Sequence, residues 1–583
     1  MKVKLINEPI TSDYGKNLLR ARGIEDVDKF LAPDSSCLQD WRDLKNMGAG
    51  VSLIAHLQDG DKVGLVIDCD VDGFTSSAII YQYLMRLFPQ LQFTFYIHDG
   101  KAHGLEEHWE QIQDEDFKLV IIPDAGSNDS QYAEKIHCPI LVIDHHLVEE
   151  EKFAPNMTVI NNQLSPLYKN KNLSGAGMAY QFCRALDDHF GAHYAKDYID
   201  LAALGICADM MSGLEIENQY FWKEGFSLAG LKNTFFMALA LKQSYSITGK
   251  TTASWEDITD ALNPMSVAFY IVPLINAMIR VGTTEEKERL WLAFIDGHRM
   301  VESHKRGAKG TLEEVAIESV RECVNARTHQ NKYKEDAVSR LEQKIFKHDL
   351  LENKILFVRL DEDDVFPSEL TGLIAMQLSQ RYKRPTIVAR LNDEGFVRGS
   401  IRGLSNSELK SFKDYLDSTG LCEYVQGHDN AAGISINNKY LSLLHEKANH
   451  DLAAYDFGED YYEVNFERQA LDKDLIALIE DLASYKDVWS QRNDEALIYV
   501  KDLHFSKSDV QIMGKNSNTV KIVKNGVAYM KFFAEDMIQE LKEHDQIKME
   551  VVGKANLNHW MGTTTPQIFI EQYEIKEDKL IDF

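Results

Sequence analysis

Lys62-Val-Gly-Leu-Val-Ile-Asp-Cys-Asp-Val-Asp-Gly-Phe-Thr-Ser76 is the stretch whose reading decides the fold: a short apolar run that empties into an acidic turn. Two further runs repeat the arrangement. Leu119-Val-Ile-Ile122 leads into Pro123-Asp-Ala-Gly126, and Ile140-Leu-Val-Ile143 leads into Asp144-His-His146. Short continuous apolar runs bounded by Gly and Pro read as strands covered on both faces of a parallel sheet. In such sheets ligands gather outside the carboxyl ends of the strands. Three strands ending in carboxylates or imidazoles therefore aim several oxygen and nitrogen donors at one crevice. Left alone, those carboxylates repel one another and lose hydration, so a bound divalent cation is their natural partner.

Composition sets the outer bounds. At 583 residues the chain is too long for one core and predicts three or four domains. Hydrophobic residues at 44% and charged residues at 26% are ordinary for a globular protein. The first residues, Met1-Lys-Val-Lys-Leu-Ile-Asn-Glu8, lack the apolar core of a signal peptide, and no membrane-length apolar run is read, so a cytoplasmic protein without a membrane partner is expected. Seven cysteines with no CxxC pair suit a reducing compartment and argue against a disulfide frame or a zinc knuckle. The net charge of −28 weighs mildly against nucleic acid, but whole-chain charge does not describe a local groove.

Read in order, residues 1–50 form a helical preamble and residues 51–250 the domain that carries the three strand-end clusters. Residues 251–345 read as a helical connector, with a long charged helix from Thr311 to Phe346. A second α/β lobe spans 346–456, with strands at Lys354–Val358 and Pro385–Ala389 and a helix from Leu370 to Tyr382. Residues 457–583 read as mostly β, with strands near Ala496–Val500, Thr519–Ile522, Ala528–Phe533, Gln546–Val552 and Gln567–Ile575. Five strands in that length suit an OB-like barrel, a platform for single strands. The fold class is α/β: a parallel-sheet domain joined by a long helix to a second α/β lobe, plus a C-terminal OB-like β-barrel.

Asp70 and Asp72 are two residues apart where a strand ends, and Gly73 frees the backbone to turn both toward the crevice. Asp124, His145 and Asp209, the acid ending an otherwise apolar helix, supply the remaining ligands. Mixed carboxylate and imidazole donors suit Mn²⁺, tolerate Mg²⁺ less readily, and could hold zinc. Two ions about 3.5–4 Å apart clamp the attacking and leaving oxygens of a phosphodiester.

With these residues in place, the chain resembles the DHH phosphoesterase family. The resemblance is carried by Asp68 to Ser76, Pro123 to Gly126, Asp144-His-His146 and Ala208-Asp209. Arg22-Gly-Ile24, Ser174-Gly-Ala-Gly177, Pro273 to Arg280, Gly399-Ser-Ile-Arg402 and Gly427 to Gly433 narrow it to the RecJ type, whose members are single-strand-specific 5′ exonucleases. The resemblance implies a two-ion Mn²⁺ or Mg²⁺ centre on Asp70, Asp72, Asp124, His145 and Asp209. It implies catalytic supporting or phosphate-facing roles for Asp68, Asp144 and His146, and places His428 of a second lobe at the scissile phosphate. Ser400 and Arg402 would hold the 5′-phosphate, a sound clamp of hydroxyl, backbone amides and guanidinium. Gly427, Asn430 and Arg280 complete the substrate contacts.

Two departures stand out. Cys69 occupies a position where many relatives have Tyr. The segment His98-Asp-Gly-Lys-Ala-His-Gly-Leu105 replaces an Arg followed by Gly-Tyr-Gly-Leu, so end-phosphate recognition passes to Lys101 or His103. In the tail, Lys507, Lys515, Lys521, Lys524, Tyr529 and Phe532 are the candidate strand contacts. The implied activity is hydrolysis of single-stranded DNA from its 5′ end to mononucleotides, in repair and recombination, by a monomer that works with a single-strand-binding protein or a helicase. The alternatives are a phosphodiesterase of oligoribonucleotides or cyclic dinucleotides, and a non-catalytic DNA-binding scaffold.

Overall fold

Five of the six residues in the strand Lys62–Ile67 are buried, as are all five in Leu119–Pro123 and in Ile140–Asp144. The computed structural model describes residues 1–7, 10–98, 103–308, 310–361, 363–364, 366–514, 516–560 and 563–576, without the Trp560 side chain. The chain divides into two units: Asp28–Lys332 with Asp487–Asn493, and Met1–Val27 with Tyr333–Lys486 and Asp494–Phe583.

In the first unit, five parallel strands lie side by side in the order Gln92–Ile97, Lys62–Ile67, Leu119–Pro123, Ile140–Asp144, Met157–Asn161. Alternate residues feed two apolar layers. Leu65, Ile67, Ile121, Leu141 and Ile143 face one, while Val66, Val120, Ile122 and Val142 face the other. Each such side chain contributes about 1.5–3 kcal/mol on burial, and that two-sided burial produces the continuous apolar runs seen in the sequence. Sequence order reverses between Lys62–Ile67 and Leu119–Pro123, so the crevice of this sheet opens between Asp68 and Asp124. The helices Val71–Leu87, Gly175–Phe190 and Ile199–Ala208 pack together on the first layer.

The rest of that unit is mostly helical, including Trp255–Ala261, Pro264–Tyr270, Val272–Val281 and Thr284–Ile295, with capping boxes at Ser254, Asn263 and Thr283 fixing three of the starts, and a small hairpin of Met300–Glu302 and Leu312–Glu314 follows them. Contrary to the sequence reading, one stretch, the 18 residues Pro264–Val281, is long and apolar enough to cross a membrane; half of it is buried, and Val267, Ile271, Leu274, Ile275 and Met278 belong to the core.

The second unit holds a five-stranded sheet in the order Cys422–His428, Ala431–Asn437, Phe396–Arg402, Thr386–Leu391, Leu356–Leu360. Leu356–Leu360 and Thr386–Leu391 pair in parallel and the other pairs are antiparallel. The 33-residue helix Val315–Lys347 runs from one unit into the other.

Two expectations need correction. Lys2–Leu5, read as part of a helical preamble, is a strand paired in parallel with Tyr461–Val464, a partner too far along the chain for local periodicity to reveal. The tail is an open sheet and not a barrel. Its seven strands run Phe466–Gln469, Leu497–Ser506, Gln546–Trp560, Thr563–Lys576, Val527–Lys531, Thr519–Lys524, Val510–Met513, and among the described residues the two outermost strands do not pair with each other. Gln546–Trp560 and Thr563–Lys576 are 15 and 14 residues long and pair with each other along most of their length.

Candidate metal centre

Asp70 is the N-cap of the helix Val71–Leu87, accepting from the Gly73 amide at 2.9 Å, and this turns the chain so that Asp72 lies in the first helical turn. A second helix start holds Asp72. Its Oδ1 accepts from the Ser174 hydroxyl at 2.9 Å and the Ala176 amide at 3.0 Å, and its Oδ2 accepts from the Gly175 amide at 2.6 Å. The N-terminus of Gly175–Phe190 thus stabilises the Asp72 carboxylate with three donors. This requires very close approach. A Cβ on Gly175 would lie 2.3 Å from Asp124 Oδ1, and one on Gly205 would lie 2.2 Å from Asp72 Oδ1.

The five sequence-predicted ligands belong to this unit, and four of them meet in measured contacts. His145 Nε2 stands 3.1 Å from Asp124 Oδ1, 3.5 Å from Asp209 Oδ2 and 3.9 Å from Asp72 Oδ2. Asp70 couples to the group through its charge, which pushes the Asp72, Asp124 and Asp209 carboxyls upward. Burial is the larger cause in each case, leaving Asp72 at about 6 and Asp124 and Asp209 well above the ordinary carboxylate range. Burial also pulls His145 down to about 3, so its imidazole is neutral and has a lone pair to offer. Asp124 Oδ1 and His145 Nε2 are both buried with no hydrogen-bond partner. Buried acceptors at such separations, unsatisfied and of like charge, fit a divalent cation.

Asp144 organises the histidines. Its Oδ1 accepts from the His145 amide at 2.6 Å, the His146 amide at 3.1 Å and His146 Nδ1 at 2.8 Å, while Oδ2 takes the Ser127 amide at 3.1 Å. Burial is the largest single effect on Asp144 and opposes its ionisation, but the His146 hydrogen bond, the charges of His146 and His145 and the Ser127 bond together outweigh it, and its carboxyl lies well below the usual range. For His146, burial is the largest single effect and pulls down, while the Asp144 hydrogen bond and the charges of Asp144, Asp209 and Asp68 together push it up to about 9. Asp68 is buried and its Oδ2 meets His103 Nδ1 at 2.7 Å. Lys101 lies outside the described residues, as does Lys515. His98 is turned inward onto Glu107, with Nδ1 2.9 Å from Oε2, and its side chain is fully buried.

Arg280, on the last turn of Val272–Val281, is half-buried; burial lowers its pKa and the Asp70 charge opposes that shift. Arg327 is the next charge acting on it, another half-buried guanidinium, and it donates to Gln330 Oε1 at 2.6 Å. Neither arginine has an ion-pair partner among the described residues. The sequence reading missed Arg327, which lies in a long charged helix where one more basic residue carries no local signal.

In the other unit, register places Arg402 opposite Ala431 and Ala431 opposite His428, with Ser400 opposite Gly433 two residues along. The period of two puts Ser400, Arg402 and His428 on one face, with small residues between them. Ile401, Ala432, Ile434 and Val425 fill the core on the opposite face. The start of the helix Thr371–Tyr382 meets that polar face. Thr371 Oγ1 is 3.0 Å from Ser400 Oγ, and a Cβ on Gly372 would lie 2.5 Å from Arg402 Nη2. Gly427, beside His428, has φ +133 and no room for a side chain. Asn430 braces its own loop, donating to the Lys410 carbonyl at 3.0 Å and accepting from the Phe412 amide at 3.3 Å. In the tail Tyr529 is buried, Phe532 is 47% exposed, Lys507 reaches the Lys542 carbonyl and Lys524 pairs with Asp509.

Residues 62–206 match the DHH family, N-terminal domain. The chain is 35% identical over 596 aligned residues to the SPbeta prophage-derived YorK of Bacillus subtilis (strain 168), named as a single-strand DNA-specific exonuclease, with 99% of each chain covered. It is 24% identical to the single-stranded-DNA-specific exonuclease RecJ of the same organism, over 100% of this chain and 70% of that one. In three dimensions it is similar to RecJ of Thermus thermophilus in complex with Mn²⁺, at a TM-score of 0.70 and 19% identity, over 99% of this chain and 80% of that one. The chain therefore belongs to the DHH family and, within it, to the RecJ-like single-strand-DNA-specific exonucleases.

Proposed function

We propose that this protein hydrolyses single-stranded DNA from the 5′ end to mononucleotides, using two Mn²⁺ or Mg²⁺ ions. The observation that carries the reading is the convergence of His145 Nε2 with oxygens of Asp124, Asp209 and Asp72 at 3.1–3.9 Å, two of these atoms being buried without partners. Asp70, Asp72, Asp124, His145 and Asp209 hold the ions. Bound there, the ions supply Lewis-acid chemistry at the phosphodiester and activate water for attack.

The chain's own groups do the rest. The Ser174–Ala176 turn fixes both oxygens of Asp72, and Asp144 fixes the orientation of both histidines. His146, half-exposed and held protonated at neutral pH by Asp144, offers a positive donor to a phosphate oxygen or to the leaving oxygen. Asp68 orients His103 toward the strand end. Arg280 and Arg327, which have no ion-pair partner among the described residues, take backbone phosphates. Ser400, Arg402 and the amides at the start of Thr371–Tyr382 take the 5′-phosphate, with His428 on the same face of that sheet. Asn430 shapes the loop beside them. The C-terminal sheet is assigned to strand binding, through Lys507, Lys521, Lys524 and Phe532. We place the enzyme in the cytoplasm as a monomer serving DNA repair and recombination with a single-strand-binding protein or helicase.

The test uses single-stranded DNA labelled at its 3′ end, incubated with protein and Mn²⁺ beside its duplex, an RNA copy and the 5′-hydroxyl form. A ladder shortening from the 5′ end on the single strand alone supports the proposal, and Asp124→Ala should lower the rate by several orders of magnitude with the fold intact. Hydrolysis of dinucleotides but not of the long strand would move the protein to short-substrate phosphodiesterases. No hydrolysis of any substrate would leave a binding scaffold.

A further inference from the structure

Asp68, Cys69 and His103 form a cluster that the exonuclease reading does not use as a unit. One ligand atom from each lies within 4.8 Å of the other two. His103 Nδ1 is 2.7 Å from Asp68 Oδ2 and 3.8 Å from Cys69 Sγ, and His103 Nε2 is 4.0 Å from the same sulfur. A tetrahedral zinc ion, with Zn–S about 2.3 Å and Zn–N about 2.0 Å, holds its sulfur and nitrogen ligands roughly 3.5 Å apart. Thiol and imidazole are thus already spaced to share an ion after a shift of a few tenths of an ångström.

The donor set differs in kind from the neighbouring centre. Five carboxylates and imidazoles there suit hard or borderline ions, whereas a thiolate with an imidazole and one carboxylate selects zinc over manganese or magnesium. The three side chains also divide into a fixed base and an open entrance. Asp68 is 2% exposed and further held by the Gly104 amide at 3.4 Å, while the His103 side chain is 60% exposed and Cys69 is half-buried. A preformed base with an access path is what a filled site needs. Cys69 also precedes Asp70, so an ion on its sulfur would neighbour the hard-ion centre without replacing it.

We propose that Asp68, Cys69 and His103 bind a soft divalent cation of the zinc type, separately from the two hard ions. The ion takes the Asp68 oxygen and the His103 Nδ1 that now bond each other, together with the Cys69 sulfur. The thiol proton and the proton on Nδ1 pass to solvent, and a fourth position stays open to water. Loading this site withdraws His103 from the strand end.

Cobalt(II) is the probe, because thiolate ligands give it an intense near-ultraviolet charge-transfer absorption that oxygen and imidazole ligands do not. The full chain, saturated with Mn²⁺, is titrated with Co²⁺. The expected result is a charge-transfer band that saturates at one cobalt per chain and is abolished by Zn²⁺. The band should be absent in Cys69→Ser, and His103→Gln should weaken cobalt binding at least tenfold. Far-ultraviolet circular dichroism of both variants is expected to match wild type. No band in the wild type, or an unchanged band in Cys69→Ser, overturns the proposal. Should Cys69→Ser fail to fold, unchanged cobalt affinity in His103→Gln overturns it alone. Because the readout is spectroscopic, its failure is distinct from a failure of the nuclease assay.

Discussion

The Gly175 amide donates to Asp72 Oδ2 at 2.6 Å, while a Cβ on Gly175 would lie 2.5 Å from the Cβ of Asp124. One glycine therefore spaces two of the proposed ligands, feeding one through its amide and leaving the other room through its missing side chain. Gly175→Ala should push Asp124 out of line while leaving the helix start able to form. The expected outcome is a fall of about 10- to 100-fold in apparent Mn²⁺ affinity, the range for groups that orient metal ligands. A Mn²⁺ titration of the exonuclease rate, with circular dichroism as the control, checks it. An unchanged titration would separate Gly175 from the centre.

The crowded carboxylates give the metal-free protein a pH dependence of known sign. Burial and the Asp70 charge raise Asp72 to about 6, so its protonated form favours the folded state. That contribution is fully present below the ordinary Asp value near 4 and is lost as pH rises through about 6. The shift corresponds to on the order of 3 kcal/mol. In chelator, the melting temperature should therefore fall between pH 4 and 6, and it should fall less in Asp72→Asn. Excess Mn²⁺ should remove the fall, since the ions then offset the repulsion. Equal slopes for wild type and Asp72→Asn in chelator would show that Asp72 is not strained.

Much of this was legible because the relevant order is local. Three of the five strands of the first sheet are apolar runs that lead into an acid, so the carboxyl edge could be read from them residue by residue. Asp209 was legible as an acid at the end of an otherwise apolar helix. What stayed hidden depends on distant partners. Lys2–Leu5 becomes a strand only through Tyr461–Val464, and the openness of the tail lies in a strand order that local periodicity does not reveal. Arg327 and the hold of Ser174–Ala176 on Asp72 are likewise tertiary: the small residues announced close approach, but not to what.

Glu217 marks a second demanding position, away from the chemistry. It is 1% exposed, and its oxygens accept from Tyr168 Oη, Asn170 Nδ2, Gln181 Nε2 and the Gln39 amide at 2.7–3.0 Å. Removing the acceptor takes a partner from each of these donors, and as donors Gln181 and Asn170 keep only their bonds to Tyr168 and Asn218, so Glu217→Ala should cost about 3 kcal/mol or more. Glu217→Gln keeps one oxygen and should cost less than half as much. Thermal melts at saturating Mn²⁺ check the order. Equal losses would mean that volume and not hydrogen bonding governs the site.

Arg280 and Arg327 carry the last prediction. Two half-buried guanidinium groups that act on each other as like charges, with no ion-pair partner among the described residues, are costly in the free protein. A phosphate between or beside them repays that cost, so their main effect belongs to strand binding. Arg280→Ala and Arg327→Ala should each raise KM for a long single strand about tenfold. Each should also reduce the slope of log affinity against log salt by about one, since one phosphate contact and its released counterion are lost. The metal-free protein should melt at the same or a higher temperature in either variant, because the like-charge repulsion that Arg327 exerts on half-buried Arg280 is relieved. Arg280→Lys separates charge from geometry: a lysine keeps the salt slope but cannot reproduce the forked contact, and should recover only part of the KM. If both alanine variants lost kcat with KM and salt slope untouched, the arginines would act on the reacting phosphate and not on the strand that delivers it.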